Sequence, residues 1–315
     1  MSSTTLKIAT RSSRLALWQA NYVADRLRDE HSDLSVELVE VSTSGDRDQT
    51  ESLRTFGGLG VFTREVQRAV LDGRADIAVH SLKDLPTDTV EGLQLACIPQ
   101  RASTNDALVL PTSDESKSKN ISITDLKSGS RIGTGSPRRQ AQLRHLGTGL
   151  ELLEIRGNVE TRLNKLDAGD YDALILAEAG LDRLGLADRI SLTLTPPEMY
   201  PAVGQGALGI ECREADDVTR ALLSPITDPK TQSVITAERA MLAALQAGCH
   251  APIGVAATVD GDQLSLEAVL LNLEGTQLIK KTACGSMNDP QAVGNQVATL
   301  LLADGGEELV RASDH

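Results

Sequence analysis

The chain has 315 residues, of which 40% are hydrophobic and 24% charged, a composition typical of globular proteins with a sizeable core. At roughly 150 residues per domain, this length predicts two or three domains. The 31 Lys and Arg residues against 44 Asp and Glu give a formal net charge of −13, and only 2% of residues are aromatic. Such a charge repels phosphate backbones and anionic lipids, and few rings are available to stack on bases. Nucleic-acid and membrane partners are therefore disfavoured.

The cysteines and the apolar segments indicate the compartment. No basic stretch followed by a long apolar run is visible near Met1, and no window approaches the ~18 apolar residues of a membrane span. Cys97, Cys212, Cys249 and Cys284 are far apart, without a C-x-x-C pair or clustered histidines. We therefore expect a reduced, cytoplasmic protein without a structural metal. Strand patterns around Cys97, Cys212 and Cys284 predict small buried side chains at those positions.

The first half alternates short β-rich runs with helical patterns, starting with a strand at residues 6–10 and a helix at 15–27. The pattern then predicts a helix at 62–71 and strands at 34–41, 75–79, 93–98, 107–110, 131–134, 152–155 and 173–177, with helices between the last three. Strands separated by helices form βαβ units, so we expect mostly parallel sheets. Two such series predict two similar α/β domains that face a cleft.

The pattern changes after Pro229. A strand at 207–212 precedes that residue, and a long helix at 231–246 follows it. Strands at 252–259, 263–271 and 277–283 then read as antiparallel, and a helix at 291–303 closes the chain. We predict an α/β domain of residues 1–100 and 202–225, a second α/β domain of 106–198, and a smaller α+β domain of 229–315.

Three predicted strand ends share one chemical pattern, a polar turn with arginines that opens a helix. The arginines are Arg11 after the first strand, Arg138 and Arg139 after residues 131–134, and Arg156 and Arg162 beside residue 158. Ser136 and Asn158 are predicted helix caps, and Pro137 fits the first helical position. Backbone N–H groups, a helix dipole and guanidiniums at one point suit an oxyanion.

The carboxyl ends of parallel strands lie at one edge of a sheet, so these arginines are predicted to converge on one polyanionic ligand. Phosphates and multiple carboxylates remain equally compatible with this pattern. The alternative is that the arginines are solvated and paired with surface Asp or Glu. No phosphate-binding G-x-x-x-x-G-K-[ST] motif is present, and Gly57-Gly58-Leu59-Gly60 lacks the dinucleotide spacing, which argues against a nucleotide.

A fourth strand end carries Ser81, Lys83 and Asp84 before Pro86. A carboxylate held among cations is expected to stay ionised at neutral pH, where it could stabilise a developing positive charge or shuttle a proton. The alternative is a surface Lys–Asp pair in a loop.

One cysteine and the histidines complete the chemistry-bearing residues. Cys249 lies in a Gly-flanked loop that would expose its thiol, although a lone cysteine is often a small buried side chain. His80, His145 and His250 have no neighbours of catalytic-triad type in the sequence, and His31 and His315 are expected to be exposed. We predict no catalytic histidine.

Taken together, the motifs resemble the porphobilinogen deaminase (hydroxymethylbilane synthase) family. The resemblance covers about residues 6 to 260 and rests on six ordered segments: 11–19, 75–86, 133–140, 156–163, 201–207 and 248–254. The Arg11-Ser12-Ser13-Arg14-Leu15 and His80-Ser81-Leu82-Lys83-Asp84-Leu85-Pro86 strings are especially similar to the family's N-terminal and catalytic signatures.

The resemblance implies an enzyme that condenses four porphobilinogen molecules head to tail into linear hydroxymethylbilane and releases ammonia. It implies a dipyrromethane cofactor bound to Cys249 through a thioether, without metal or nucleotide. Two domains like periplasmic binding proteins would flank a cleft, a smaller α+β domain would carry the cofactor, and the chain would be a cytoplasmic monomer.

The resemblance also assigns site residues. Asp84 would be catalytic, handling pyrrole nitrogen charge and proton transfer. The side chains expected to bind the cofactor, besides Cys249, are Lys83, Ser81, Ser13, Thr134, Ser136, Arg138, Arg139, Gln205 and Gly206. Those expected to bind substrate are Arg11, Arg156, Arg162 and Arg183.

Two positions depart from the family pattern. Leu59 replaces a lysine that is frequent in the Gly-rich loop, so one anion contact is expected to be missing, and Pro137 replaces a more usual leucine. Two other functions are considered. A solute-binding-type module that holds an anion without chemistry would explain the paired domains and arginines but not residues 81–86 or Cys249. A phosphoryl or glycosyl transferase is weakened by the missing phosphate loop.

Overall fold

The computed structural model describes residues 4–42, 63–112, 121–248 and 251–313. Its strands in chain order are β1 (Thr4–Arg11), β2 (Leu34–Val41), β3 (Ile77–Ser81), β4 (Leu93–Cys97), β5 (Asp106–Val109), β6 (Arg131–Gly133), β7 (Glu151–Leu153), β8 (Ala173–Ala177), β9 (Leu192–Leu194), β10 (Leu208–Arg213), β11 (Ile253–Asp260), β12 (Gln263–Leu271) and β13 (Leu278–Ser286). Its α-helices are α1 (Arg14–Glu30), α2 (Arg64–Leu71), α3 (Pro137–His145), α4 (Val159–Asp167), α5 (Glu178–Arg183), α6 (Asp217–Leu223), α7 (Pro229–Ala244), α8 (Pro290–Leu301) and α9 (Glu307–Ser313).

The chain divides into two compact units, Met1–Ala102 with Ala207–Gln232 and Ser103–Gly206 with Ser233–His315. One five-stranded sheet lies in the first unit, and a second five-stranded sheet and a three-stranded sheet lie in the second. The finer division into three domains stays a prediction.

The sheet of the first unit has the strand order β2-β1-β3-β10-β4. β1 pairs in parallel with β2 and β3, whereas β10 is antiparallel to both β3 and β4. Side chains alternate across β1, so Leu6 and Ile8 pack with α1 residues such as Val23, while Ala9 packs with Val66 of α2. The sheet is thus covered by a helix on each face, as the βαβ pattern predicts.

The five-stranded sheet of the second unit follows the same plan, with the order β7-β6-β8-β5-β9. β6 pairs in parallel with β7 and β8, and β5 is antiparallel to β8 and β9. In each sheet four strands share one direction and one strand opposes them. The expectation of mostly parallel sheets holds for these four strands. It did not identify β5 and β10 as the opposed ones, because strand direction depends on where a crossover returns and leaves no mark in local periodicity.

The three-stranded sheet β11-β12-β13 is antiparallel throughout, with β12 in the centre. Its inner face, which includes Leu266, packs against Met241 of α7 and Val297 of α8. The expected α/β class with a smaller α+β part is confirmed. The predicted closing helix at 291–303 is confirmed, since helical backbone continues past α8 until the chain bends at Asp304 and Gly305, the latter at a φ of 95°, before α9.

Helix starts next to the candidate site follow the predicted capping chemistry in two of three details. The Oδ1 atom of Asn158 accepts a hydrogen bond from the Thr161 N–H, and Pro137 opens α3. Ser136 occupies the N-cap position, but its hydroxyl makes no capping hydrogen bond, which corrects its predicted role. Among the described segments, no helix has both the length and the apolar character needed to cross a membrane.

The close packing of α8 on α7 supplies a test of this fold. A methyl group at Gly294 of α8 would overlap the carbonyl oxygen of Ala237 and press on Ala240. Helix propensity alone favours alanine over glycine by about 1 kcal/mol. We expect Gly294→Ala to lower stability instead, by about 1 to 3 kcal/mol, because overpacking outweighs that gain.

Thermal and urea unfolding measure the difference, with Asn295→Ala on the exposed side of α8 as the control that should change stability little. A Gly294→Ala protein as stable as the parent or more so would contradict the α7–α8 packing.

Candidate active site

The carboxyl ends of β1 and β3 lie at one edge of the first sheet because these strands are parallel. The polar side chains gathered there line one depression, which we name the Asp84 depression: Arg11, Ser13, Gln19, His80, Ser81 and Asp84. Arg11 ends β1, and Asp84 lies in the 3₁₀ turn Leu82–Asp84 that follows β3. Four residues predicted for the site from sequence are thereby brought together.

Local packing fixes these side chains. The Ser13 hydroxyl caps α1 by accepting from the Ala16 N–H at 3.3 Å, and the Gln19 Nε2 donates to the Ser81 Oγ at 2.7 Å. Leu82 is buried, and its N–H donates to the Ala207 carbonyl, which anchors the turn and leaves Asp84 exposed. Lys83 occupies the same turn. The result is an exposed carboxylate on a rigid support.

His80 has a charged neighbour that the sequence did not reveal. Its Nε2 lies 2.9 Å from the Oε2 of Glu211 on β10. The Gln67 Nε2 on α2 donates to both Glu211 oxygens, at 3.1 and 2.9 Å. All three side chains are buried. Glu211 reaches His80 from a strand more than a hundred residues away in the chain, so this neighbour leaves no mark in the local sequence. That no histidine is catalytic stays a prediction.

In the second unit, the β6–α3 turn holds Thr134, Ser136, Arg138 and Arg139. Thr134 is buried, and its Oγ1 accepts from the Ser136 N–H at 3.3 Å. Arg138 and Arg139 are only 5% and 6% exposed. Their deep burial contradicts the alternative of solvated arginines paired with surface acids at these two positions, whereas their anion-binding role stays a prediction.

Both guanidiniums converge on Asp106, the first residue of β5, whose exposure is 0%. The Arg138 Nη1 lies 2.7 Å from Oδ2, and the Arg139 Nε and Nη2 donate to Oδ1 at 3.0 and 2.7 Å. The Gln205 Nε2 donates to the same Oδ1 at 3.0 Å. These four residues form what we call the Asp106 cluster.

The electrostatics of the Asp106 cluster favour an ionised carboxylate. Burial raises the pKa of Asp106, but the charges of Arg138 and Arg139 and the hydrogen bonds from Arg138 and Gln205 outweigh burial, so its pKa falls well below the ordinary value. Two cations on one anion leave the cluster with a surplus positive charge. The Nε of Arg138 is also buried without a hydrogen-bond partner in the described part of the chain.

The other arginines predicted for the site in this unit, Arg156, Arg162 and Arg183, make hydrogen bonds outside the Asp106 cluster. The Arg183 Nη2 donates to the Gly206 carbonyl at 2.7 Å, next to Gln205 of the Asp106 cluster. In the β7–α4 turn, the Arg156 Nε and Nη2 donate to Glu154 Oε1, and the Arg162 Nε donates to the Gly157 carbonyl at 2.8 Å. Arg156 and Arg162 thus flank one turn, which follows the strand next to β6. The predicted convergence of Arg11 with these arginines stays a prediction.

The expectations for the cysteines, the remaining histidines and the Gly-rich loop have mixed outcomes. Cys249, His250 and Leu59 with its Gly-rich loop lie outside the described residues, as does His315. Cys97 and Cys212 are buried as expected, whereas Cys284 is exposed because it lies on the outer face of the edge strand β13. His31 is half-buried, not exposed, and its Nε2 lies 2.9 Å from the Leu222 carbonyl oxygen.

Sequence reasoning missed Asp106 and Glu211. Asp106 begins a buried apolar strand, where an acidic residue is unusual, so its position was the one available signal. Glu211 lies inside an apolar strand as well, and its unusual position there was likewise the only signal. In both cases the partners are distant in the chain, and only the fold identifies them.

The burial of Asp106 generates a stability test. We expect Asp106→Asn to lower stability by about 3 to 5 kcal/mol at neutral pH, because it leaves two buried guanidiniums without their anion. The folded-state pKa of Asp106 is lowered from 3.8, so its contribution is present above pH 3.8 and is lost as the pH falls below that value. The difference between parent and variant should therefore stay constant from neutral pH to about pH 5 and shrink in stronger acid.

Urea unfolding at several pH values provides the measurement. Asp25→Asn, which removes the partner of Arg28 in an exposed ion pair, serves as control and should cost about 0 to 1 kcal/mol. A loss for Asp106→Asn as small as that of the control would contradict the assigned charge pairing.

Comparison with known families and proteins bears on identity. Residues 6–221 match the family model described as "Porphobilinogen deaminase, dipyromethane cofactor binding domain", and residues 233–303 match "Porphobilinogen deaminase, C-terminal domain". The porphobilinogen deaminase of Syntrophotalea carbinolica is 45% identical over 314 residues, covering 100% of this chain and 98% of the relative. That of Stenotrophomonas maltophilia is 46% identical over 306 residues, covering 97% and 99%.

Among solved structures, the methionine binding protein MetQ aligns with a TM-score of 0.44 at 14% identity, covering 70% of this chain and 89% of its own. The effector binding domain of BenM aligns with a TM-score of 0.42 at 17% identity, covering 72% and 91%. The two family models together span both compact units, and the sequence relatives match nearly from end to end. The chain belongs to the porphobilinogen deaminase family.

Proposed function

We propose that the chain is a transferase of tetrapyrrole biosynthesis, a hydroxymethylbilane synthase that joins four porphobilinogen molecules head to tail and releases ammonia. Full-length similarity to porphobilinogen deaminases supports the activity. The observation in the structure that carries the proposal is the Asp106 cluster, whose surplus positive charge is buried beside the β6–α3 turn.

A cationic cluster of this kind suits the chemistry of the product. Each porphobilinogen carries an acetate and a propionate, so every condensation adds two carboxylates to the growing chain. Arginine binds carboxylates through two parallel N–H groups, which gives both affinity and orientation. The arginines of the two turns, Arg138 and Arg139 in one and Arg156 and Arg162 in the other, therefore suit a polycarboxylate better than a neutral ligand.

The residues present fit the dipyrromethane cofactor of this family. Such a group also carries carboxylates. The buried Nε of Arg138 lacks a hydrogen-bond partner in the described ranges, and a carboxylate oxygen of the group would supply the acceptor. We propose that Arg138, Arg139 and Gln205 hold it together with Ser13, Ser81, Lys83, Thr134, Ser136 and Gly206, and that the Cys249 sulfur bonds to it covalently. When bound, the group supplies a tethered pyrrole ring on which elongation begins.

Asp84 is the proposed catalytic residue. Loss of the amine leaves a cationic centre on the substrate, and a carboxylate beside that centre stabilises the transition state more than the neutral ground state. The exposed position of Asp84 at the end of a buried, anchored turn places its carboxylate where a substrate can reach it. Arg11, Arg156, Arg162 and Arg183 are proposed to bind the substrate carboxylates.

The proposal extends to the domain division, oligomeric state, location and partners of the chain. The three-domain division, the monomeric state, the cytoplasmic location and the absence of nucleic-acid and membrane partners are supported by family membership and by the acidic, aromatic-poor composition. A binding module without chemistry is not favoured, because the relatives that match from end to end are named as deaminases.

The covalent cofactor predicts a defined mass. Protein purified from cells should weigh more than its sequence by one dipyrromethane, because the proposed thioether survives denaturation. Intact-protein mass spectrometry reads the adduct directly. Cys249→Ser should carry none, whereas Cys284→Ser, which removes an exposed cysteine elsewhere, should keep it. An active parent protein of unmodified mass would defeat the proposed cofactor attachment.

Removal of the proposed catalytic carboxylate predicts a selective loss of turnover. We expect Asp84→Ala to reduce kcat by about 100- to 1000-fold, the usual effect of removing one group that stabilises transition-state charge. Its thermal stability should change little because Asp84 is exposed. Steady-state assays of product formation would measure the loss.

Asp88→Ala is the matched control, since Asp88 is also exposed and lies four positions further along the same loop. Near-parental rates for Asp84→Ala would remove Asp84 from its proposed role.

A further inference from the structure

One buried tyrosine of the second unit, Tyr200, is not used by the proposed function. It is 3% exposed, and its carbonyl oxygen accepts a hydrogen bond from the Arg138 Nη1. The same Nη1 lies 2.7 Å from the Asp106 Oδ2. Because a guanidinium is planar and rigid, two acceptors on one terminal nitrogen fix the plane of the whole group. That plane sets the direction of the Arg138 Nε, which has no hydrogen-bond partner in the ranges that the structure describes.

The peptide groups of Tyr200 are held by α3. The Gln142 Nε2 donates to the Tyr200 carbonyl at 3.1 Å, and the Tyr200 N–H donates to the Gln142 Oε1 at 2.7 Å. Gln142 follows Arg138 by one helical turn, so both side chains lie on one face of α3. The carbonyl that orients Arg138 is therefore itself fixed by the helix that carries Arg138.

The side chain of Tyr200 reaches the three-stranded sheet. Its hydroxyl donates to the Glu267 Oε1 on β12 at 2.6 Å and accepts from the Lys280 Nζ on β13 at 2.8 Å. Its ring packs in one core cluster with Val269 of β12. A methyl group at Gly254 of β11 would overlap the Tyr200 Cβ and press on its carbonyl oxygen. Tyr200 thus connects α3 to β11, β12 and β13.

This connection concerns both ends of the proposed cofactor. The strand β11 begins at Ile253, four positions after Cys249, the proposed attachment residue. Arg138 is the proposed partner of a cofactor carboxylate. A group tethered at one end and bound at the other reacts efficiently only when both contacts are correctly spaced, and an error of about 1 Å lowers turnover by up to about 100-fold.

We propose that Tyr200 is a positioning residue of the cofactor site, which directs the Arg138 Nε toward a dipyrromethane carboxylate and keeps it in register with the three-stranded sheet. In this role Tyr200 acts through Arg138 and touches neither substrate nor cofactor. The inference rests on the proposed function and adds no chemical step to it.

The first test is a mutant cycle of Tyr200→Ala, Arg138→Lys and the double variant, with kcat expressed per folded, cofactor-loaded molecule. Tyr200→Ala removes the contacts with the sheet, so we expect kcat to fall by about 10- to 100-fold while KM for porphobilinogen changes by less than about threefold. If Tyr200 acts through Arg138, the double variant is about as slow as Arg138→Lys alone. Losses that multiply, or an unchanged kcat in Tyr200→Ala, would overturn the proposal.

A second measurement is independent of turnover. Nitrogen-15 NMR of arginine-labelled, cofactor-loaded enzyme reports how fast each Nε–H exchanges with solvent, and the Arg138 signal is assigned through its own backbone. In the parent we expect slow exchange, because this proton is buried and bonded to a carboxylate. In Tyr200→Ala we expect exchange at least about tenfold faster. An unchanged rate would overturn the proposal.

Tyr22→Ala is the control, since Tyr22 lies in the first unit and stacks on Trp18, and it should leave Arg138 exchange at the parental rate. Should Tyr200→Ala fail to fold, Tyr200→Phe decides. This variant keeps the ring but loses the bonds to Glu267 and Lys280, so exchange should still increase, and parental exchange would overturn the proposal. Parent enzyme of unmodified mass that forms no tetrapyrrole would instead contradict the proposed function itself.

Discussion

Two guanidiniums share one fully buried carboxylate in the second unit, and the proposed chemistry depends on this pairing. Asp106 offsets one of the two charges on Arg138 and Arg139, and the remaining charge is held in a region where water cannot disperse it. A buried surplus charge of this kind is costly unless an anion completes it. We propose that this remaining charge gives the start of α3 its affinity for carboxylates.

The two five-stranded sheets divide the chemistry between them. The first presents the exposed carboxylate of Asp84, which we propose stabilises cationic centres, in a depression that His80 also lines. The second holds arginines in two turns at the ends of parallel strands, and we propose that they bind the carboxylates. An enzyme that lengthens a polycarboxylate through cationic centres requires both kinds of group, and each sheet edge supplies one kind.

The sequence allowed much of this architecture to be predicted, because periodicity reports local structure. The strands at 34–41, 173–177 and 263–271 match the structure residue for residue, and Asn158 and Pro137 open their helices as expected. The reversed strands β5 and β10, the burial of Arg138 and Arg139, and the Glu211 partner of His80 were not predictable. Each depends on contacts between distant segments, which local patterns do not encode.

A crystal structure of the cofactor-loaded protein tests the central claim most directly. The account predicts continuous density from the Cys249 sulfur to a dipyrrole whose carboxylates lie within hydrogen-bonding distance of Arg138 or Arg139. A bare sulfur, or a dipyrrole whose carboxylates avoid both guanidiniums, would contradict the claim that the Asp106 cluster binds the cofactor.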